Sequence, residues 1–375
     1  MKKVFHLIPS LDSGGAETQL ALLATSRAVG TAHIISLKQS TAPLAKQLVL
    51  RGVPVDAMSF DTYPGRSFLR LVRFLRLHVS NSDMVQCWMY HANLIGFLAA
   101  LLAGRRKQVV WNLRRTAIPG GMTGWVSRIC GFISRHVDVP IVCCAQAALE
   151  SHCRAGYRRD HMVVIHNGID IGRFQRDAAA GLTIRQELAI AADAFVLGMV
   201  ARYAPVKGHL YLLQALTQLA DRLPDCSQFK VVLVGRGVLD AAPLKPYLND
   251  PRLQPYLVLV PETDQVPRYL SAFDALCMPS ESEGFPNVVA EAMACEVVPL
   301  VTDVGEAKVI VGNEGLVVPP FNPELLANAI VQLLAMPASE RRQMAARARM
   351  RIAAMFSVEE AVRKYDALYR SLLNK

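Results

Sequence analysis

Asp274-Ala-Leu-Cys-Met-Pro-Ser-Glu-Ser-Glu-Gly-Phe-Pro-Asn-Val-Val-Ala-Glu-Ala-Met-Ala294 is the stretch on which the fold turns. Asp274 to Ser280 is an apolar run of strand length and its exit. Glu281 to Pro286 is a turn, and Asn287 to Ala294 starts a helix. Open α/β sheets hold ligands where a strand exit leads into a helix N-terminus. Gly284 permits close backbone approach, and the helix start offers N–H groups and a positive dipole end to an anion. Glu291 sits about one turn inside, where its carboxylate suits a vicinal diol such as a ribose. Two glutamates on a solvated helix start remain the other reading of this spacing taken alone.

The same grammar continues outward. Val4–Ile8, His33–Leu37, Met84–Cys87, Val109–Asn112, Val139–Cys143 and Val163–Ile165 read as strands of a first half. Val196–Val200, Val231–Val234, Leu257–Val260, Ala275–Met278, Val297–Val301 and Leu316–Val318 read as strands of a second. Near-continuous Val, Ile and Leu runs fit parallel strands covered on both faces. Amphipathic segments between them give two doubly wound α/β domains. The turn dipeptide in His166-Asn-Gly-Ile-Asp170 sets the boundary, giving domains 1–168 and 169–357. Ser357-Val-Glu-Glu360 has capping-box spacing and opens a closing helix at about 358–375.

At 375 residues the chain exceeds a single core, which agrees with two domains. A composition 52% hydrophobic and 19% charged excludes general disorder. None of the eight cysteines forms a C-x-x-C pair, so they read as core residues of a reduced, cytoplasmic protein. The apolar start after Met1 is too short for a signal peptide, and Leu94–Ala103 is too short to span a bilayer. The net charge of +10 is uneven: residues 1–168 hold 20 Lys and Arg against 8 acids, residues 169–375 hold 21 against 23. A basic half points to an anionic membrane surface or nucleic acid, or to solubility alone. No nucleic-acid motif is present.

Further candidates for chemistry lie at other strand exits. Arg202 and Lys207, in Ala201-Arg-Tyr-Ala-Pro-Val-Lys-Gly208, suit a diphosphate: one is a planar fork, the other a point charge. Solvated surface charges are the alternative. Leu11-Asp-Ser-Gly-Gly-Ala-Glu17 places two glycines before a helix, which allows contact with a phosphate or sugar. It is not G-x-G-x-x-G, which argues against a nicotinamide cofactor. His91, after the Met84–Cys87 strand, is a ligand contact or a packed residue. No D-x-D pair occurs, so no metal site is expected. Leaving-group charge would fall to Arg202, Lys207 and helix amides.

Taken together, Gly14-Gly-Ala-Glu17, His166-Asn-Gly-Ile-Asp170, Arg202 to Lys207-Gly208, Pro279-Ser to Glu291-Ala-Met-Ala294, Thr302-Asp-Val-Gly305 and Tyr365-Asp-Ala-Leu-Tyr369 resemble glycosyltransferase family 4, the group 1 glycosyl transferases. The resemblance covers nearly the whole chain and is most specific in the E-x₇-E segment. It implies a GT-B fold: two Rossmann-like doubly wound domains facing a central cleft, with the closing helix packed back on the first. It implies retention of anomeric configuration without an essential metal or other cofactor. Arg202 and Lys207 would hold the diphosphate of a UDP- or GDP-sugar, and Glu291 its ribose. Glu283, Gly284 and the backbone of Phe285, Pro286 and Asn287 would meet the donor sugar. Val260 and Pro261 would border the base, Gly15 would abut the donor, and His91 would lie near the reacting carbon. Catalysis would be front-face displacement, with Glu283, His91, Arg202 and Lys207 at the reacting centre. Glu296 and Glu306 stand where the family usually has glycine.

In this family the first domain takes the acceptor. Gly65–Val79 is a helix with Arg66, Arg70, Arg73 and Arg76 on one side and Phe68, Leu71, Val72, Leu75 and Val79 on the other. Arg105-Arg-Lys107, Arg114-Arg115 and Trp125–His136 extend the basic surface. A saccharide acceptor, lipid-linked, is therefore expected, at the inner face of the cytoplasmic membrane and in envelope polysaccharide or lipopolysaccharide synthesis. A sugar-nucleotide 2-epimerase or hydrolase, and an inactive membrane-bound module, are the alternatives.

Overall fold

A computed structural model describes residues 2–12, 14–26, 30–39, 42–223 and 225–374. The chain divides into two compact units, residues 1–168 with 358–375, and residues 169–357.

The first unit runs β1 (Lys3–Ile8), α1 (Gly15–Thr25), β2 (Thr31–Ser36), α2 (Pro43–Leu50), β3 (Val55–Ala57), α3 (Pro64–His78), β4 (Met84–Trp88) and α4 (Met89–Leu102). It continues with β5 (Val109–Leu113), α5 (Gly121–His136), β6 (Ile141–Cys143), α6 (Gln146–Arg154) and β7 (Met162–Val164). The second unit runs α7 (Ala178–Glu187), β8 (Phe195–Val200), α8 (His209–Leu219), β9 (Phe229–Val234), α9 (Lys245–Leu248), β10 (Leu257–Val260) and α10 (Val266–Ala272). Then come β11 (Ala275–Met278), α11 (Asn287–Ala294), β12 (Val298–Thr302), α12 (Ala307–Val311), β13 (Leu316–Val318), α13 (Pro323–Ala335) and α14 (Ala338–Met355). The last helix, α15 (Val358–Leu373), belongs to the first unit.

Both sheets are parallel. The first has the order β3-β2-β1-β4-β5-β6-β7 and the second β10-β9-β8-β11-β12-β13. Every residue of β4, β5, β11 and β12 is buried, as strands covered on both faces require. Chain order reverses between β1 and β4 in the first sheet and between β8 and β11 in the second. Helices leave those neighbours toward opposite faces, which opens a crevice at the strand exits.

The sequence reading omits β3. Val55-Asp56-Ala57 is a three-residue edge strand with a charge at its centre, too short for a period-2 signal. On one side of the first sheet, Val4, Ile8, Ile34, Trp88, Val110 and Val142 pack against α1, α2 and α15. From α15, Tyr365 and Tyr369 are fully buried there. Asn112 Nδ2 donates to the Tyr365 hydroxyl at 3.0 Å; Arg114 also donates to that hydroxyl, and the Tyr369 hydroxyl donates to Gln86. Lys2 pairs with Asp366 at 2.9 Å.

Helix α11 ends with Glu296 at φ 58°, in the left-handed region. Its N–H reaches the Met293 carbonyl at 3.1 Å, and that of Val297 reaches Ala292 at 3.0 Å, a Schellman-type closure. A side chain there costs roughly 1 kcal/mol. Glu296→Gly should therefore stabilise the second unit by ~0.5–1 kcal/mol in urea unfolding. An unchanged or lower midpoint would mean that the glutamate side chain earns its place.

Candidate active site at the exits of β8, β11 and β12

The site grows from three strand exits bound to one another. After β8 the chain turns through a short 3₁₀ segment, Pro205–Lys207, and enters α8 at Gly208. After β11 it passes Pro279 to Pro286 into α11, and after β12 it turns at Gly305 into α12. The Glu281 N–H donates to the Val206 carbonyl at 2.8 Å, and the Glu306 N–H to the Gly284 carbonyl at 2.9 Å. The Thr302 hydroxyl donates to the Ser280 carbonyl at 2.5 Å, and the Tyr211 hydroxyl to Glu281 Oε1 at 3.1 Å.

Two glycines permit this closeness. Gly208 has φ 76°, and a Cβ there would stand 1.8 Å from the Pro279 carbonyl oxygen. Gly305 has φ 56°, and a Cβ there would stand 2.3 Å from that of Glu283. No larger residue fits either place.

Within this frame Lys207 Nζ lies 2.7 Å from Glu283 Oε1, and the fully buried Ser280 donates its hydroxyl to the same oxygen at 2.8 Å. The sequence reading assigned Lys207 to a diphosphate and Glu283 to a sugar as separate contacts. The structure joins them: a half-buried carboxylate takes the nearest cation. Arg202 is exposed on the same loop, which is tied to the exit of β9 by the Tyr203 N–H donating to the Arg236 carbonyl at 2.7 Å.

Phe285 is buried, its ring 5.7 Å from that of Phe356, so its side chain anchors the turn. Pro286 precedes α11 and has no N–H to donate. Glu291 lies on α11 among protein atoms. Burial pushes its pKa up to about 7, with Arg173 pulling the other way. Val260 ends β10, two strands from β8, and its carbonyl accepts from the Gly235 N–H at 3.0 Å; Pro261 beside it is exposed. His209 opens α8 fully buried, beside the Tyr203 ring at 5.7 Å. Burial holds its pKa down at about 4, so it is a neutral imidazole that packs the loop carrying Lys207. His209 and Arg173 escaped the sequence reading, and Ser280 and Thr302 appear in it only within the family segments, with no role. Only His209, next to Lys207-Gly208, carried a positional hint.

The other two candidates, Gly15 and His91, belong to the first unit. There they occupy the equivalent place, at the exits of β1 and β4 where its strand order reverses. Gly15 is exposed at the first position of α1. His91 is half-buried in the first turn of α4, two residues after Met89, whose φ of 67° turns the chain out of the strand. Burial, then Lys38, holds the His91 pKa below its usual value. A cavity of about 860 Å³ lined by His33, Asp56, Phe74 and His78 opens at the opposite, amino-terminal ends of β1 and β2. Among the described residues no group of three or more His, Cys, Asp or Glu side chains could hold a metal ion.

The fold of the chain matches that of solved GT-B glycosyltransferases. The glycosyl transferases group 1 model matches residues 194–336, and the glycosyltransferase family 4 model residues 13–173. The D-inositol 3-phosphate glycosyltransferase of Corynebacterium urealyticum is 32% identical over 402 aligned positions, covering 96% of this chain and 91% of that protein. The Escherichia coli UDP-Gal:α-D-GlcNAc-diphosphoundecaprenol α-1,3-galactosyltransferase is 29% identical over 174 residues, 45% of this chain and 44% of its own length. The crystal structure of Anabaena HepE in complex with UDP superposes with a TM-score of 0.86 at 23% identity, over 99% of this chain and 100% of that one. The chain belongs to the family 4, group 1 glycosyltransferases.

Glu291 has a consequence for stability. Its folded carboxyl keeps a proton up to about pH 7, whereas an ordinary one releases it near 4.5. The native state thus binds the extra proton between those values, and stability falls as pH rises through that window. Glu291→Gln should remove the fall. The melting temperature of the variant relative to the parent should rise by a few degrees between pH 5 and pH 8. A difference that stays constant with pH would contradict a half-buried, proton-holding Glu291.

Proposed function

We propose that this glycosyltransferase is a retaining enzyme that needs no metal. It transfers a sugar from a UDP- or GDP-sugar to a saccharide acceptor carried on a lipid, in envelope polysaccharide synthesis. The Lys207–Glu283 pair, with Ser280 behind it, carries this reading. It is a charged pair at a strand-order reversal, where an anionic ligand and a polyol can exchange for the two partners. Lys207 would leave Glu283 for the donor diphosphate and Arg202 would grip it from outside. The freed carboxylate would accept from sugar hydroxyls, and ionised Glu291 from those of the ribose.

The bond from the anomeric carbon to the leaving phosphate oxygen would break as the acceptor oxygen bonds on the same face. The acceptor proton would pass to the departing phosphate. Cations aimed at the leaving group act where charge develops. Names of relatives support the substrate class: the E. coli protein is named for a UDP-sugar donor and an acceptor on diphosphoundecaprenol, and HepE was crystallised with UDP.

The purified enzyme, given UDP- and GDP-sugars with a polyprenyl-diphosphate saccharide, should form a glycoside of the donor's own anomeric configuration, unaffected by EDTA. Lys207→Ala should lower kcat by roughly 10²–10³. Near-normal turnover in that variant would remove Lys207 from the mechanism. Free or epimerised sugar without acceptor would indicate a hydrolase or 2-epimerase, and no turnover with any donor a binding module.

A further inference from the structure

We infer that the outward face of the α3–α4–α5 layer docks on an anionic lipid bilayer, with the apolar ridge of α5 seated among the headgroups. The three helices pack side by side, α3 on α4 and α4 on α5.

Helix α5 is amphipathic the wrong way round for a water-facing helix. Its inward side is small: Gly124, Ser127, Cys130, Gly131 and Ser134 are buried. Its large apolar residues face out, with Met122 77%, Trp125 65%, Ile129 44% and Phe132 64% exposed. Their spacing of three, four and three residues sets them in one row. Helix α4 buries Ala92, Gly96, Ala99 and Ala100 together with Tyr90 and Phe97, and leaves Leu98, Leu101 and Leu102 exposed. On α3, Leu69 and Leu77 are exposed beside Arg66, Arg70, Arg73 and Arg76, all of which face solvent. A contiguous apolar surface of this kind marks an interaction site.

Charge selects the partner. Residues 64–136 contain eleven lysines and arginines and one acid; Arg114 is turned to Tyr365 and Asn167 on the other side of the sheet, while Arg66, Arg70, Arg73 and Arg76 of α3 and Arg128 and Arg135 of α5 are exposed. That acid, Asp83, is buried and occupied by Ser80 and the Lys3 N–H. A second copy of the chain would set this cationic face against itself. A nucleic acid would leave the Met, Ile and Phe ridge without a counterpart. An anionic bilayer satisfies both: lipid phosphate meets the arginines, and Trp125 and Phe132 take the interfacial depth that aromatic side chains favour. No helix among the described residues is long and apolar enough to cross a membrane, so the layer lies on the surface. The inference rests on the proposed lipid-linked acceptor for its purpose alone.

Tryptophan fluorescence tests it on the intact enzyme, without donor or acceptor. Trp88 and Trp111 are fully buried, so Trp125 reports the ridge. Vesicles of phosphatidylcholine with phosphatidylglycerol at low salt should carry the protein in flotation and shift its emission to the blue. Lipids brominated near the headgroup should quench it. Pure phosphatidylcholine vesicles should bind at least tenfold more weakly. A Trp125→Glu/Phe132→Glu variant should keep its melting temperature and its turnover on a lipid-free acceptor, yet lose flotation. Arg70→Ser/Arg73→Ser should weaken anionic-vesicle binding several-fold and flatten its salt dependence. Absence of flotation on anionic vesicles overturns the inference, as does flotation without a blue shift. A vesicle-free dimer abolished by Trp125→Glu would assign the ridge to a second copy instead. Each of these failures leaves the proposed transfer reaction standing.

Discussion

The contact between the Lys207 ammonium and the Glu283 carboxylate is the constraint around which the second unit's site is built. Two opposite charges at 2.7 Å in a half-buried place need their loops held to a fraction of an ångström. The loops themselves supply that: the Val206 carbonyl and the Glu281 N–H close one seam, Gly284 and Glu306 another, Thr302 and Ser280 a third. Each ion neutralises the other, which avoids two desolvated charges without partners. The frame is rigid backbone and the pair is exchangeable side chain.

Much of this was legible in the sequence for a physical reason. Strands buried on both faces must be apolar throughout, and the turns between them need glycine and proline, so β8 to β12 and the Glu283–Glu291 segment stand out. What escaped is what depends on distance in space. Charge identity is visible at Lys207 and Glu283, but their choice of each other follows from two glycines that admit neighbouring carbonyls. Ser280 and Thr302 look like ordinary strand-exit hydroxyls until they are seen bonded to the same turn. Arg173 lies far along the chain from Glu291, and no periodicity links them. The strand Val55–Ala57 failed for want of length.

The orientation of α5 teaches a related lesson. Its sequence shows an apolar row and a row of small residues, and either could face inward. Space decides. Gly131 lies against Tyr157, where an added Cβ would stand 3.2 Å from the ring, and the neighbouring α4 already brings Phe97 onto Trp111. Bulk beneath the layer admits only small residues, so the large ones are displaced to the outside. An exposed tryptophan here follows from a full interior as much as from any demand of the surface.

The return of α15 to the first unit bears on how the protein is made. Tyr365 and Tyr369 complete a core begun by β1, yet the whole second unit, residues 169–357, lies between. On a ribosome adding ~5–20 residues per second, the first unit would wait roughly 10–40 s for its last helix. During that interval the pocket awaiting the two tyrosines, lined by Val4, Ile34, Trp88 and Val110, stands open. The nascent first unit is thus a natural client for a chaperone, while the second can close as soon as it clears the exit tunnel.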